Sequence, residues 1–136
     1  MPDELEVPSH ANPWLIAGSL SAALAVAAGA YGAHGITGDV FFKNTFRTGV
    51  QYHMWHSLAL LAVAWFTGSR PQTGSGAAQA KWGHRAGVLF AVGTVLFSGS
   101  LYIFGITENL PQPGLAPTGG LALMAGWLTL AFAATR

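Results

Sequence analysis

The sequence predicts an all-α integral membrane protein, an antiparallel bundle of four transmembrane helices. Hydrophobic residues make up 51% of the 136 residues, and charged residues only 8%. Because a soluble domain carries about 25% charged residues, this chain has too few to cover its surface in water. The apolar residues also fall into four long stretches, and about 20 such residues suffice for a helix to cross a bilayer. Length and pattern together predict one small domain, residues 13–136, with four spans.

The first span is predicted at residues 13–33, after a polar N-terminal tail at residues 1–12. Pro13 suits the first turn of a helix, and Asn12 can cap it. No charged side chain occurs in this span. Small residues recur in it at steps of three and four, which lets the backbone of another helix come close; they are Gly18, Ala22, Ala25, Gly29 and Gly32.

The second span, residues 49–67, is preceded by an amphipathic segment at residues 39–48. In that segment the aromatic side chains share one helical face and the cations lie on others; they are Phe42, Phe46, Lys43 and Arg47. We therefore expect an interfacial segment, with its aromatic rings among the lipid headgroups and its cations extended towards water.

A stretch rich in glycine and serine, residues 68–85, predicts a flexible polar loop. The third and fourth spans are predicted at residues 86–107 and 115–135, joined by a tight connection that contains two prolines. Both spans carry small residues that we expect to pack helices against one another within the bundle: Gly87, Ala91, Gly119 and Gly126.

Lysine and arginine predict how the chain is oriented in the membrane. With four spans, both termini and the loop at 68–85 share one side, and that side holds four of the six cations. The other side holds Lys43 and Arg47. Because cytoplasmic loops carry an excess of lysine and arginine, both termini are predicted to be cytoplasmic.

Composition and motifs argue against several functional classes. The net charge is +1 and the cations are scattered, so nucleic-acid binding is not expected. The chain has no cysteine, which removes disulfides, thiolate metal sites and cysteine nucleophiles. It also lacks a phosphate-binding loop and a serine with an acidic partner at matching depth. We therefore expect no enzymatic activity.

Polar side chains within the spans concentrate in the predicted outer half of the bundle. His53 and His56 are three residues apart and therefore project from one helical face. Because an unpartnered polar group in hydrocarbon costs several kcal/mol, both should face the bundle interior or the interface. The candidate polar cluster consists of His34, Gln51, Tyr52, His53, His56, Ser98, Ser100, Tyr102 and Thr118.

Three interpretations of the histidines compete. In the first, the imidazoles hydrogen-bond to carbonyls and serines of neighbouring helices and fix the packing. In the second, His34, His53 and His56 ligate a metal, since neutral imidazole suits zinc and copper, or one of them ligates haem. In the third, they form a relay with Gln51 and Tyr52 for proton or quinone chemistry. No carboxylate lies within the spans to complete a metal site. We therefore expect no cofactor.

Four blocks of this sequence resemble a known family. Gly29-Ala30-Tyr31-Gly32-Ala33-His34-Gly35 resembles the Gly-Ala-Phe-Gly-Ala-His signature of the bacterial domain of unknown function 423, which is related to the eukaryotic transmembrane protein 256. Residues 48–56, 96–102 and 117–127 resemble motifs of its other helices. The resemblance covers residues 13–135. It implies a four-helix protein of the bacterial cytoplasmic membrane and brings no activity.

The same resemblance bears on the histidines. His34 and His56 match positions that are usually histidine in the family pattern, whereas the position of His53 is often glutamine. This difference argues against an obligatory two-histidine metal site. The acidic N-terminal tail and the long loop at 68–85 belong to this chain rather than to the pattern.

The features taken together favour a non-catalytic accessory or scaffold subunit of a larger membrane complex. Its partners would be the lipid bilayer and either other membrane protein subunits or further copies of the chain. One alternative is a metal-, haem- or quinone-binding protein that uses the three histidines. A second alternative is a small transporter component whose polar outer half is a vestibule, although no charged residue lies along such a pathway.

Overall fold

The computed structural model describes residues 11–136, and this part of the chain folds into four helices joined by short connections. They are α1 Pro13–His34, α2 Val40–Gly68, α3 Gly74–Thr107 and α4 Leu115–Ala133. The predicted all-α membrane bundle is confirmed. Most of the predicted N-terminal tail, residues 1–10, lies outside the described residues.

The two ends of the bundle differ in their connections. The end with the α1–α2 connection at residues 35–39 and the α3–α4 connection at residues 108–114 is called the hairpin side. The opposite end, called the terminal side, has the α2–α3 connection at residues 69–73 and Arg136.

The start of α1 is fixed by side-chain hydrogen bonds on the terminal side. The Asn12 carboxamide oxygen accepts from the backbone N–H groups of Trp14 and Leu15, at 3.1 and 3.2 Å. Its nitrogen donates to the Ala64 carbonyl of α2, 3.1 Å away. The Trp14 indole donates to Nδ1 of His84 on α3, at 2.7 Å. The cap predicted from the sequence therefore also ties α1 to α2, and a cap of this kind contributes about 0.5–2 kcal/mol.

Two predicted boundaries change in the structure. The predicted interfacial segment and the second span form one continuous helix, α2. Asp39 fixes where this helix begins, because its carboxylate accepts from the Phe41 N–H at 2.7 Å. The predicted loop 68–85 shrinks to residues 69–73. Three alanines between residues 77 and 80 favour the helix over the loop, since alanine is the strongest helix former. Glycines that suggested flexibility instead allow close packing.

Two of these glycines show this directly. A Cβ on Gly76 would meet the Pro71 side chain at 2.7 Å, and a Cβ on Gly83 would lie 2.7 Å from Thr67 Cγ2. Both distances are too short for a side chain, so only glycine allows α3 to begin this close to the end of α2.

The most polar helix, α2, is flanked by two other helices. It packs against α1 on one side and α3 on the other, and α4 packs mainly against α3. The buried hydrophobic core consists of Ala59, Leu60, Val63, Ala86, Phe90 and Leu123. In the described part of the chain, α1, α3 and α4 are long and apolar enough to cross a membrane, whereas α2 falls short of this criterion because of its polar side chains. Of these polar groups, His56 and Ser57 are buried and His53 is half-buried, whereas Gln51 is exposed.

Most of the glycines singled out from the sequence lie where helices approach closely, whereas a Cβ on Gly29 would lie 3.4 Å from Val50 Cγ1, an ordinary contact. A Cβ on Gly18 would lie 2.7 Å from Leu61 Cδ2, and one on Gly87 would meet the Trp14 ring at the same distance. Similar contacts occur at Gly32, Gly119 and Gly126. Of the alanines in the predicted set, Ala25 is fully buried, whereas Ala22 and Ala91 are half-buried.

Candidate functional site

His53 is the centre of a hydrogen-bonded chain that joins three helices. Its Nδ1 lies 2.8 Å from the Tyr102 hydroxyl of α3, and its Nε2 lies 3.1 Å from Ser21 Oγ of α1. Ser21 Oγ lies 2.6 Å from Ser57 Oγ, and Ser57 donates to the His53 carbonyl at 2.8 Å. Four side chains from α1, α2 and α3 thus satisfy one another in the middle of the bundle.

The direction of these hydrogen bonds follows from their geometry. The His53 carbonyl can only accept, so Ser57 donates to it and must accept from Ser21. Ser21 has then used its single hydrogen and accepts from Nε2–H of His53. A neutral His53 therefore carries its proton on Nε2, and its Nδ1 accepts from the Tyr102 hydroxyl. Both ring nitrogens are occupied by partners within the protein.

His56 belongs to a separate arrangement on the side of α4. Its Nδ1–H donates to the Tyr52 carbonyl one turn earlier, at 2.7 Å, and its Nε2 accepts from the Trp127 indole N–H at 3.2 Å. A carbonyl only accepts and an indole only donates, so these partners specify a neutral ring with the proton on Nδ1. The ring also stacks against Tyr52 with an interplanar angle of 19° and lies beside Phe90.

The structure therefore divides the predicted polar cluster. His53 and Tyr102 share one network, and His56 and Tyr52 share another. Ser100 donates back to a carbonyl of its own helix. The remaining members do not join either network: His34 and Thr118 are exposed near helix ends on the hairpin side, Gln51 is exposed on α2, and Ser98 is buried on α3.

The grouping of His34, His53 and His56 on which the metal interpretation depends is not formed in the described part of the chain. No three histidine, aspartate or glutamate side chains come together at metal-binding distance anywhere between residues 11 and 136. The physical reason lies on α2. The His53 ring is directed to α1 and α3, whereas the His56 ring is directed to α4. The expectation that the protein binds no cofactor remains a prediction.

Three residues of the networks were absent from the predicted cluster: Ser21, Ser57 and Trp127. Ser21 lies eight residues into α1, about 12 Å from its start, and Ser57 lies eleven residues before the end of α2, about 16 Å. In antiparallel helices those depths nearly coincide. Matching depth across α1 and α2 would have suggested that the two serines pair.

A groove lies beside the His53 network, between α1 and α3, with α2 beneath it. Its volume is about 470 Å³. The lining is mostly apolar and includes several small residues; it comprises Ala17, Leu20, Ser21, Leu24, His53, Leu60, Ala91, Thr94, Val95, Ser98, Gly99 and Tyr102. A Cβ on Gly99 would meet no atom within 4 Å, so this position faces open space.

Ser98 is the unusual residue of the groove. It is 1% exposed, and its hydroxyl has no hydrogen-bond partner within the described residues. Hydroxyls in helices usually donate to the carbonyl four residues earlier, as Thr94 does to Phe90 at 2.7 Å. A buried hydroxyl without a partner costs about 1–3 kcal/mol, and rotation of the Ser98 side chain towards the groove that it lines would bring the hydroxyl to an acceptor there.

Comparison with known proteins gives matches over most of the chain. The family described as "Protein of unknown function (DUF423)" matches residues 28–120. The UPF0382 membrane protein YwdK of Bacillus subtilis is 39% identical over 125 residues, which are 90% of this chain and 96% of the relative. The UPF0382 inner membrane protein YgdD of Escherichia coli is 33% identical over 124 residues, 90% of this chain and 88% of the relative. No solved structure gives a significant match.

Proposed function

This chain belongs to the DUF423 family of membrane proteins, and we propose that it is a non-catalytic accessory subunit of a larger complex in the bacterial cytoplasmic membrane. The observation that carries this proposal is the groove between α1 and α3. We propose that the groove receives a transmembrane helix of another protein. The location follows from the name of the Escherichia coli relative, which is called an inner membrane protein.

The lining of the groove suits a helix more than it suits a lipid chain. Small residues at Ala17, Ala91 and Gly99 let a second helix backbone come close, which is how helices associate in membranes. The Ser98 hydroxyl needs an acceptor, and a partner helix can supply a carbonyl or a polar side chain whereas a lipid tail cannot. The partner would therefore be an apolar helix with one polar group at the depth of Ser98.

The proposal includes no catalytic step because both ring nitrogens of His53 already have hydrogen-bond partners within the bundle. His53 donates from Nε2 to Ser21 and accepts at Nδ1 from Tyr102, so it is not positioned to activate the Ser98 hydroxyl. In the described part of the chain, no carboxylate lines the groove. The polar groups present fix the positions of α1, α2 and α3 relative to one another, and they give the groove a constant shape.

A cross-linking experiment tests the proposal, because the natural chain has no cysteine. Gly99→Cys places a single thiol in the groove, at a position where a Cβ meets no neighbour. Leu128→Cys is the matched control, on α4 and 72% exposed outside the groove. Each variant is treated with a short thiol-reactive photo-cross-linker in native membranes, and the products are identified by mass spectrometry.

We expect Gly99→Cys to give one cross-linked product of fixed mass, in which the chain is joined to a transmembrane segment of a partner protein. The control Leu128→Cys should not give this product. The yield should fall when Ala91→Trp fills the groove in the same chain. A product of twice the chain mass would identify a second copy as the occupant and would contradict a different protein there. Adducts with lipid alone at both positions would contradict the proposal.

A further inference from the structure

A second cavity, here called the basic cleft, lies on the hairpin side between the C-terminal half of α1 and the N-terminal half of α2. Its volume is about 450 Å³, within the range of ligand-binding pockets. The α1 wall consists of small residues, Gly29, Gly32 and Ala33. A Cβ on Gly32 would lie 2.8 Å from the Phe46 ring. The small residues therefore set both the approach of the helices and the width of the cleft.

The α2 wall of the basic cleft is polar and positively charged. Lys43, Arg47 and Gln51 lie at steps of four and therefore form a row along α2, with Asn44 beside them. All four side chains are exposed. The cleft has two cations and two amides, and no carboxylate of residues 11–136 lines it.

The position of the cleft along α2 corresponds to the membrane surface. Lys43 and Arg47 lie about 4.5 and 10 Å from the start of α2 at Val40. Phe41 and Tyr31, both exposed, lie near the same end of the bundle, as aromatic residues do at headgroup level. The cations therefore lie at the depth where lipid phosphates occur.

The cations of the terminal side have a different environment. The guanidinium groups of Arg70, Arg85 and Arg136 each lie over an aromatic ring, at 4.1–4.3 Å from its centroid. Neither Lys43 nor Arg47 has such a contact within residues 11–136, and both face the cavity instead. The charge of the hairpin side is thus directed at a ligand-sized space, whereas these three arginines are held against rings.

We propose that the basic cleft binds the phosphate of an anionic membrane phospholipid. The Arg47 guanidinium matches two phosphate oxygens at once, and the Lys43 ammonium adds a point charge. The carboxamides of Asn44 and Gln51 donate to the remaining oxygens or to glycerol hydroxyls of the headgroup. An anionic headgroup is preferred to a zwitterionic one, since no acidic side chain among the described residues lines the cleft, and the nearby Asp39 carboxylate accepts a hydrogen bond from the Phe41 N–H instead.

The experiment measures binding by the purified full chain in a neutral detergent. Thermal unfolding is followed with added phosphatidylglycerol, phosphatidylcholine or inorganic phosphate, and lipid adducts are counted by native mass spectrometry. The test variant is Lys43→Gln with Arg47→Gln. The control variant is Arg70→Gln with Arg136→Gln, which removes the same charge away from the cleft.

We expect phosphatidylglycerol to raise the unfolding temperature of the wild type and the control variant, with at least tenfold weaker binding by the test variant. Phosphatidylcholine should have a smaller effect on all three. Equal effects of the two lipids on the wild type, or unchanged affinity of the test variant, would overturn the proposal. An equal shift with inorganic phosphate would show an ion site and overturn the lipid assignment.

A second variant keeps the charge and changes only the space. Ala33→Phe introduces a ring at an exposed position that lines the cleft. Weaker phosphatidylglycerol binding with both cations still present would support a site of defined shape. Unchanged binding would show general attraction of an anionic lipid to surface charge and would contradict the cleft as the site.

Discussion

Replacing His56 with leucine tests whether its imidazole is a structural hydrogen-bonding group. The substitution removes the bond from the ring to the Tyr52 carbonyl and the bond from the Trp127 indole to the ring. The first loss costs little, because that carbonyl keeps the backbone N–H of α2 as its helical partner. The second leaves the indole N–H without its acceptor. Hydrogen bonds of this kind in a membrane protein average about 0.6 kcal/mol and reach about 1.7 kcal/mol.

Loss of ring packing adds to this figure. The imidazole centroid lies 6.0 Å from Tyr52, 5.8 Å from Phe90 and 6.1 Å from Trp127. Aromatic pairs contribute about 0.5–1.5 kcal/mol beyond the area that they bury, and the leucine side chain recovers part of this by apolar contact. We therefore expect His56→Leu to lower the free energy of unfolding by about 1–2 kcal/mol.

The assay is equilibrium unfolding in mixed micelles with increasing denaturing detergent, followed by circular dichroism of the helices. Trp127→Phe removes the other partner of the hydrogen bond, and the double variant completes a cycle. If the bond between them carries the effect, the double variant loses less stability than the two single losses added together. Unchanged stability of His56→Leu, or fully additive losses, would refute the structural role of the ring.

Other consequences of the structure can be measured with the same material. His53→Leu should destabilise the protein more than His53→Gln, because the amide can still pair with hydroxyls whereas leucine leaves the hydroxyl groups of the network without a partner; equal losses would contradict the hydrogen-bonded chain. Gly119→Leu should prevent stable folding, since a Cβ there would lie 2.9 Å from Leu96 Cβ, and a monodisperse variant with wild-type unfolding would contradict this packing. A reporter enzyme inserted in the α2–α3 connection, between residues 72 and 73, should be active if it is an enzyme that works only in the cytoplasm and inactive if it is one that works only in the periplasm; the opposite result would reverse the predicted orientation. The protein purified from its own membranes should be colourless and contain no stoichiometric metal, and metal that is lost on His53→Gln would contradict this.

The four helices could be predicted because apolar length and small-residue spacing are properties of single segments. The C-terminal end of the predicted loop at 68–85 could not be predicted, because glycine and serine between residues 74 and 85 fit a loop and a closely packed helix equally well. The decision came from the end of α2 and the connection after it, where Thr67 leaves room only for glycine at Gly83 and Pro71 only for glycine at Gly76. A contact between two segments cannot be seen in the composition of either one.

The division of the polar cluster has a similar cause. Residues three apart on a helix differ by about 60° in direction. On an isolated helix His53 and His56 therefore share a face, but in the bundle this angle directs one ring to α1 and α3 and the other to α4. Spacing gives the relative direction of two side chains, and the rotation of α2 among its neighbours gives their partners. That rotation follows from packing of three other helices.

The arrangement of polar groups explains why the least apolar helix lies between two other helices. The His53 network has partners only when α1 and α3 both lie beside α2, and His56 has its indole donor only when α4 is in place. Because unpaired polar groups in hydrocarbon are costly, these bonds favour the assembled bundle over separate helices. The same reasoning identifies the surfaces where binding is expected. The Ser98 hydroxyl in the groove and the two cations of the basic cleft lack partners within the described residues, so a partner helix and a lipid phosphate would complete interactions that the bundle alone leaves open.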